Sequence, residues 1–283
     1  MNEPSTTGPT EPTGIADTTG ITDTADTTGI TDTIGTAITG TNTTGTNTTR
    51  TSTSTPGIRV LPAGRDGLLV ELTTGAAAEA FHAELLRRGA LGELPAVREI
   101  VPGAGTVLLD GISDGAPGAP ARLARSLVSW RIPPLPRDAG PVVEVPVVYD
   151  GPDLADVAAA WGVGPGDVAR IHSGIEFRVA FSGFAPGFGY LTGLPERFRV
   201  PRRATPRTRV PEGSLALAGP YTGVYPRASP GGWQLIGRTP DPDRLWDQDR
   251  EPAALLTPGT RVRFTENPAG HRTAGPRTEG AGQ

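Results

Sequence analysis

The sequence predicts an α+β, β-rich protein in which a small α/β N-terminal domain precedes a β-barrel or sandwich. Three observations predict it. Apolar runs at strand and helix spacing alternate between residues 58 and 130, and a proline-rich segment interrupts them at 131–141. Beyond Glu176, helical periodicity gives way to short apolar runs separated by Gly and Pro. The expected boundaries are a tail at 1–57, the small domain at 58–137, the barrel domain at 138–266 and a second polar tail at 267–283.

The first 57 residues contain no Leu, Val, Phe, Trp or Tyr, too little apolar surface to offset the entropy of ordering, so a disordered Thr/Gly-rich tail is expected. Its "DTTGITDTA" recurs as "DTTGITDTI"; the period lacks the paired glycines of a calcium-binding roll and reads as a duplicated spacer. In the small domain, "IRVLPAGRDGLLVEL" reads as two strands about a glycine-containing turn. "AAAEAFHAELLRRG" places Ala78, Phe81 and Leu85 on one helical face, with Gly89 as the stop. Strands are expected at 96–101 and 106–109, then a second helix at 121–130 burying Leu123, Leu127 and Trp130. "RIPPLPRDAGP" is the linker, stiffened by its prolines.

In the second domain "VVEVPVVY" is a strand, "DLADVAAAWG" a helix with Asp153 as its N-cap, and "GPGDVARIH" another short helix. Further strands at 177–181, 215–218, 233–236 and 262–264 suit a closed barrel or a sandwich.

Composition narrows the chemistry. The tail carries six acidic residues against Arg50, a formal charge of −5, so of the chain's −4 the remainder holds +1. A near-neutral body argues against nucleic-acid binding through phosphates. There is no cysteine, and all 26 basic residues are arginine, so thiol nucleophiles, Schiff-base lysines and the P-loop lysine are excluded. No charged-then-apolar leader and no apolar run near ~20 residues is present, so a cytoplasmic protein without a membrane segment is expected.

Three stretches carry candidate site residues. In "PRRATPRTRVPEGS" each pre-proline residue is pushed toward extended backbone, so the arginines form no basic helix. Alternation then puts Arg203, Arg207 and Arg209 on one side and Arg202 on the other. That strand is either solvated and neutralised by Glu196 and Glu212, or an anion-facing wall that grips a carboxylate or phosphate. In "FSGFAPGFGYLTG", Gly183, Phe184, Gly187 and Gly189 form either a tight barrel corner or a loop whose amides meet an anion beneath an aromatic wall. "GPYTGVYPRASPGGWQLIGRTP" adds Thr222, Tyr225, Gln234 and Arg238, with Trp233 in the core. His172, near Glu176, reads as a helix-end hydrogen-bonder or a general base; a lone histidine makes no metal centre, and no metal site is expected.

Together, "HSGIEFRV", "GFAPGFGYL", "PRRATPRTRVPEGS", "TGVYP" and "SPGGWQLIGRTP" resemble the allophanate hydrolase subunit 1 / KipI family, and within it the 5-oxoprolinase B subunits most. The resemblance implies a cyclophilin-like barrel as the second domain. It also implies a share in the ATP-dependent cleavage of 5-oxoproline to glutamate, with the homologous C subunit of 5-oxoprolinase and its A subunit as partners, and ATP with Mg2+ used by the assembled complex. Arg202, Arg203, Arg207, Arg209, Thr222, Tyr225, Gln234 and Arg238 occupy its motif positions, with His172 and Glu176 as the catalytic candidates. Two other roles occur in a family of this kind: a KipI-like inhibitor of a histidine kinase, and the carboxyltransferase-like half of a urea-amidolyase-type system. The chain departs from the pattern at Tyr221, where Gln is common, at Gly189, where Pro is common, and at Phe177, where Tyr is common.

Overall fold

A computed structural model describes residues 57–269, apart from positions 137 and 139. The two expected tails lie outside the described residues except for residue 57 and for 267–269, where the Asn267 amide still donates to the Val147 carbonyl at 2.8 Å.

The chain is mixed α+β and rich in strands. Its first layer is an antiparallel sheet in the order β1, β2, β4, β3, formed by β1 (Ile58–Ala63), β2 (Gly67–Leu72), β3 (Glu99–Pro102) and β4 (Thr106–Asp110). Two helices cover it, α1 (Gly75–Ala90) and α2 (Ala119–Leu127). Leu68, Val70, Val107 and Leu109 point from one face of the sheet to Phe81, Leu85, Leu123 and Leu127, as alternation in the strands and a 3.6 repeat in the helices require. Thr74 caps α1 by accepting from the Ala77 amide at 3.1 Å. The helix runs through Gly89, the expected stop, because Leu85 is fully buried and Glu84 ties its last turn to Arg87 and Arg88. Trp130 lies beyond α2 and packs instead against Phe81 and under the Arg88 guanidinium.

The second layer is a seven-stranded sheet built from β5 (Val142–Val147), β6 (Glu176–Ser182), β7 (Gly189–Thr192), β9 (Ser214–Ala218), β10 (Tyr221–Val224), β12 (Gln234–Arg238) and β13 (Arg261–Glu266). Its order is β12, β9, β10, β7, β6, β13, β5, with only the β13 and β5 pair parallel. Of the closed barrel or sandwich that the sequence suggests, the sheet forms a curled half-barrel whose two edges meet at one bridge, where Val148 and Arg238 exchange hydrogen bonds of 2.8 and 2.9 Å. A separate ribbon, β8 (Arg207–Val210) with β11 (Ser229–Gly231), lies outside this order.

Alternation sorts the sheet's residues into two clusters. Leu191, Leu215, Leu217, Val224 and Ile236 pack with α3 (Leu154–Trp161) and α4 (Pro165–Ser173) through Val157, Trp161 and Val168. Their strand neighbours Tyr190, Ala216, Ala218, Tyr221 and Leu235 belong to the opposite face, with Phe188, Val210, Tyr225 and Trp233.

His172 sits wholly inside the first cluster, between Phe177 and Phe264. Its Nδ1 meets the Tyr149 hydroxyl at 2.8 Å and its Nε2 the Thr222 hydroxyl at 3.3 Å. Burial pushes its pKa down to about 3 from 6.5, so the folded chain keeps the imidazole neutral while the unfolded chain takes up a proton below the ordinary value. Stability is therefore undiminished above about pH 6.5 and falls as the pH drops, by about 2 kcal/mol at pH 5. Urea denaturation at pH 7 and pH 5 should show that difference, and it should shrink by the same amount in His172→Gln.

Candidate functional site

Two of the three arginines that alternation puts on one side, Arg203 and Arg207, converge, but on a group of the chain's own. Asp153 stands at the start of α3, where its side chain makes no capping bond; that part of the expectation fails because the carboxylate is turned into the protein. Its Oδ1 accepts from Arg203 at 2.6 Å and from Arg207 at 2.8 Å, while its Oδ2 accepts from Arg207 at 2.9 Å and from the Leu235 amide at 2.7 Å. Burial works to raise its pKa. The Arg207 hydrogen bond, the Leu235 amide and the charges of Arg207 and Arg203 outweigh that and hold it below the usual carboxylate range. Gly151 lets the chain come this close, since a Cβ there would collide with the Leu235 carbonyl.

Arg203 and Arg207 are thus engaged inside the protein, and Glu196 and Glu212 are not their neutralising partners; Glu196 lies instead 3.6 Å from Arg199. Arg209 is exposed and makes no ion pair among the described residues. Arg202, also exposed and unpaired among them, sends its charge toward Tyr190 and Tyr225 on the outer face of the sheet.

That face is an aromatic floor. Phe181 stacks on Tyr190 with ring centres 4.4 Å apart, and Tyr221 meets both edge-on at 5.6 Å. Phe188 joins Tyr190, Tyr225 and Trp233 at 5.0 to 5.5 Å. Burial raises the pKa of all three tyrosines, that of Tyr225 to about 12, so each keeps its proton at neutral pH and can donate it in a hydrogen bond. The Gly183 to Gly189 loop borders this floor as a tight turn: Gly183 donates to the Phe188 carbonyl at 3.2 Å, Ala185 to Gly183 at 2.7 Å and Phe188 to Ala185 at 3.0 Å. The amides of Phe184 and Gly187 donate to no other described residue.

Tyr221 also lines a cleft of about 980 Å³ between the seven-stranded sheet and the start of α1, shared with Glu79, Glu176, Arg178, Thr192 and Arg261. Glu176 lies here rather than beside His172's ring nitrogens. Arg261 grips it bidentately at 2.7 and 2.9 Å and Arg263 binds it too, which holds the carboxylate below its ordinary pKa and ill-suited to act as a base. Glu79 has the opposite environment: burial raises its pKa against a 3.0 Å bond from the Thr192 hydroxyl and the charge of Arg178.

Other expected site residues lie elsewhere. His172 and Thr222 bond to each other in the core, so neither reaches a ligand, and buried His172 has both ring nitrogens occupied. Arg238 pairs with Asp150 at 3.0 Å beside the sheet's closing bridge. Gln234 spends its amide on the Pro201 carbonyl at 3.3 Å, next to the clamp. Among the described residues no three His, Asp or Glu side chains gather as metal ligands, and no helix is long and apolar enough to cross a membrane. Sequence reasoning missed Asp153 as the arginines' partner, because the pair is 50 residues apart and the "GPD" turn looks like any helix start. The signal for Tyr221 was present as a departure from the family pattern.

The chain belongs to the family described as carboxyltransferase domain, subdomain C and D, whose model matches residues 58–256. It is 45% identical over 185 residues to the 5-oxoprolinase B subunit of Escherichia coli O157:H7, covering 64% of this chain and 83% of that one. It is 45% identical to the Bacillus subtilis protein of the same name over 44% of this chain, and there it spans about half, 52%, of the relative's length. A crystal structure of TTHA0988 superposes with a TM-score of 0.57 at 36% identity, covering 71% of this chain and 40% of that one. The Kluyveromyces lactis urea carboxylase shares the fold at 20% identity and a TM-score of 0.53, over 74% of this chain and 22% of its own.

The two classes of arginine should separate in urea denaturation. Arg203→Ala and Arg207→Ala each leave a buried carboxylate short of a partner and should cost about 2 kcal/mol. Arg202→Ala should stay within about 0.5 kcal/mol of the parent chain.

Proposed function

We propose that this chain is the B subunit of an ATP-dependent 5-oxoprolinase, which opens the lactam ring of 5-oxoproline to glutamate together with a homologous C subunit and with the A subunit. The observation that carries it is the 45% identity to a 5-oxoprolinase B subunit over 185 residues, most of that relative's length. In the same reading the curled sheet is a cyclophilin-like barrel, residues 58–137 are a domain of their own, and the enzyme is cytoplasmic.

The outer face suits such a substrate. A flat five-membered ring with one carboxylate would lie on the Phe181, Tyr190 and Tyr221 rings, its carboxylate toward the exposed guanidinium of Arg202. The protonated tyrosines are donors for the lactam oxygen, where charge grows as the carbonyl is activated. ATP with Mg2+ supplies the activation of that oxygen in the assembled complex. This chain brings neither a lysine for its phosphates nor, among the described residues, an acidic trio for the metal, so we assign the nucleotide to the other subunits. The residues of this chain then bind, orient and screen the ring from water; they supply no covalent nucleophile.

The carboxyltransferase-half alternative draws on the family description and on the fold shared with urea carboxylase, a likeness of fold alone. It requires a biotin carrier on another chain, since no lysine is present here.

Co-expression with the A and C subunits, followed by a 5-oxoproline-dependent ADP-release assay, tests the proposal. The complex should turn over, and Arg202→Ala should raise KM by about 10- to 100-fold through loss of a charged hydrogen bond. No activity with all three chains present would contradict it.

A further inference from the structure

Helix α1 presents two polar side chains to one small cavity. Glu79 and His82, three positions apart and so on one helical face, line a space of about 170 Å³ between α1, β6 and the turn that precedes β13. Glu79, Leu135 and Arg178 line this space and the cleft beside Tyr221 alike, so the two adjoin.

His82 is the unusual wall. It is only 8% exposed, yet its ring bonds to no described residue, whereas the buried His172 has both nitrogens engaged. The fully enclosed polar side-chain atoms that lack a partner belong to Arg203, Ser229 and Gln234, so the His82 nitrogens are not sealed off. Burial lowers the pKa of His82 and keeps the ring neutral, with one nitrogen to donate and one to accept. Glu79 is half satisfied beside it: Oε1 accepts from the Thr192 hydroxyl at 3.0 Å, and Oε2 meets no described residue. Buried polar groups ordinarily find partners, and here two of them face a space several times the ~30 Å³ share of a water molecule.

Charge and shape select the occupant. An ionised Glu79 repels an anion, while the Arg178 guanidinium, whose field reaches Glu79, repels a cation. Arg178 is itself fastened to the carbonyls of Gly259 and Pro136 at 3.0 and 3.2 Å. Ala83, Leu86, Val179 and Pro258 make the rest of the wall apolar. A neutral group with a donor and an acceptor side by side answers carboxylate and imidazole together, and a primary amide carries its N–H and C=O in that arrangement. A cavity of about 150 Å³ holds a six-carbon ring, so about six heavy atoms fit. We propose that this cavity is a binding site for a short, neutral primary amide, whose N–H donates to Glu79, whose oxygen accepts from His82, and whose apolar stem lies on Leu86, Val179 and Pro258. The inference stands apart from the oxoprolinase reading, which places its ring on the aromatic floor.

The test is saturation-transfer NMR on the full chain with butyramide as the probe, beside butyrate and butylammonium, which have nearly its shape and opposite charges. Butyramide should bind with a Kd of about 1 mM, within what six heavy atoms can supply, and either ion at least about 10-fold more weakly. Glu79→Ala should weaken butyramide about 10-fold and His82→Phe about 5-fold, as loss of a charged and of a neutral hydrogen bond does. His82→Phe keeps the size of the ring and replaces an unpartnered polar group by an apolar one, so its Tm should equal or exceed the parent's. The comparison of the three probes on the parent chain stands without any variant. Equal binding of all three, or tighter binding of either ion, would overturn the ligand class. Butyramide binding that neither substitution weakens would overturn the site, and no binding to the parent at concentrations well above that Kd would overturn the proposal as a whole.

Discussion

The buried carboxylate of Asp153 is the interaction on which the second layer depends. One side chain binds four hydrogens from three separate places in the sequence: the arginine at 203, the arginine at 207 and the backbone of Leu235. It joins the start of α3 to β12 and to the extended segment that leads into β8. A carboxylate withdrawn from water is tolerated only when so fully satisfied, and once satisfied it fixes the groups that satisfy it. Arg203 and Arg207 are drawn onto it while Arg202 stays exposed; the charges of Arg202 and Arg207 both reach Tyr225, and that of Arg202 also reaches Tyr190.

The sheet's two faces then divide the work. One is filled by aliphatic residues and by the Tyr149, His172 and Thr222 chain of hydrogen bonds, a polar line that lies wholly within the core. The other gathers tyrosines, phenylalanines and a tryptophan beneath the β8 and β11 ribbon, with hydroxyls that burial keeps protonated. Tyr221 belongs to this face and also to the cleft against α1, where Glu79 stands across from it. An apolar aromatic floor, the exposed guanidinium of Arg202 and protonated tyrosines lie near one another on this face.

Much of this was legible in the sequence, and the parts that were not share a cause. Strands such as 215–218 and helices such as α1 follow from periodicity, because burial on one face imposes it directly. Gly89 failed as a helix stop since tertiary packing of Leu85 and the Glu84 ion pairs override a propensity worth about 1 kcal/mol. Alternation placed Arg203, Arg207 and Arg209 on one side; Arg203 and Arg207 share a partner, whereas Arg209 is exposed and pairs with no described residue. That partner was not legible, for it is supplied by a residue 50 positions earlier whose neighbours mark only a helix start. His172 was singled out by its place near Glu176, whereas its meaning came from the rings around it. The curl of the sheet was hidden for the same reason: the single bridge between Val148 and Arg238 is a long-range fact that no local pattern announces.

Arg207 thus belongs to the protein's architecture through Asp153. A double-mutant cycle on folding stability measures that role directly, using Asp153→Ala, Arg207→Ala and the pair in urea denaturation. A coupling of about 2 kcal/mol is expected, in the range of residues joined in one hydrogen-bonded ion network. A coupling within about 0.3 kcal/mol of zero would show the two side chains to be energetically independent and would contradict the clamp.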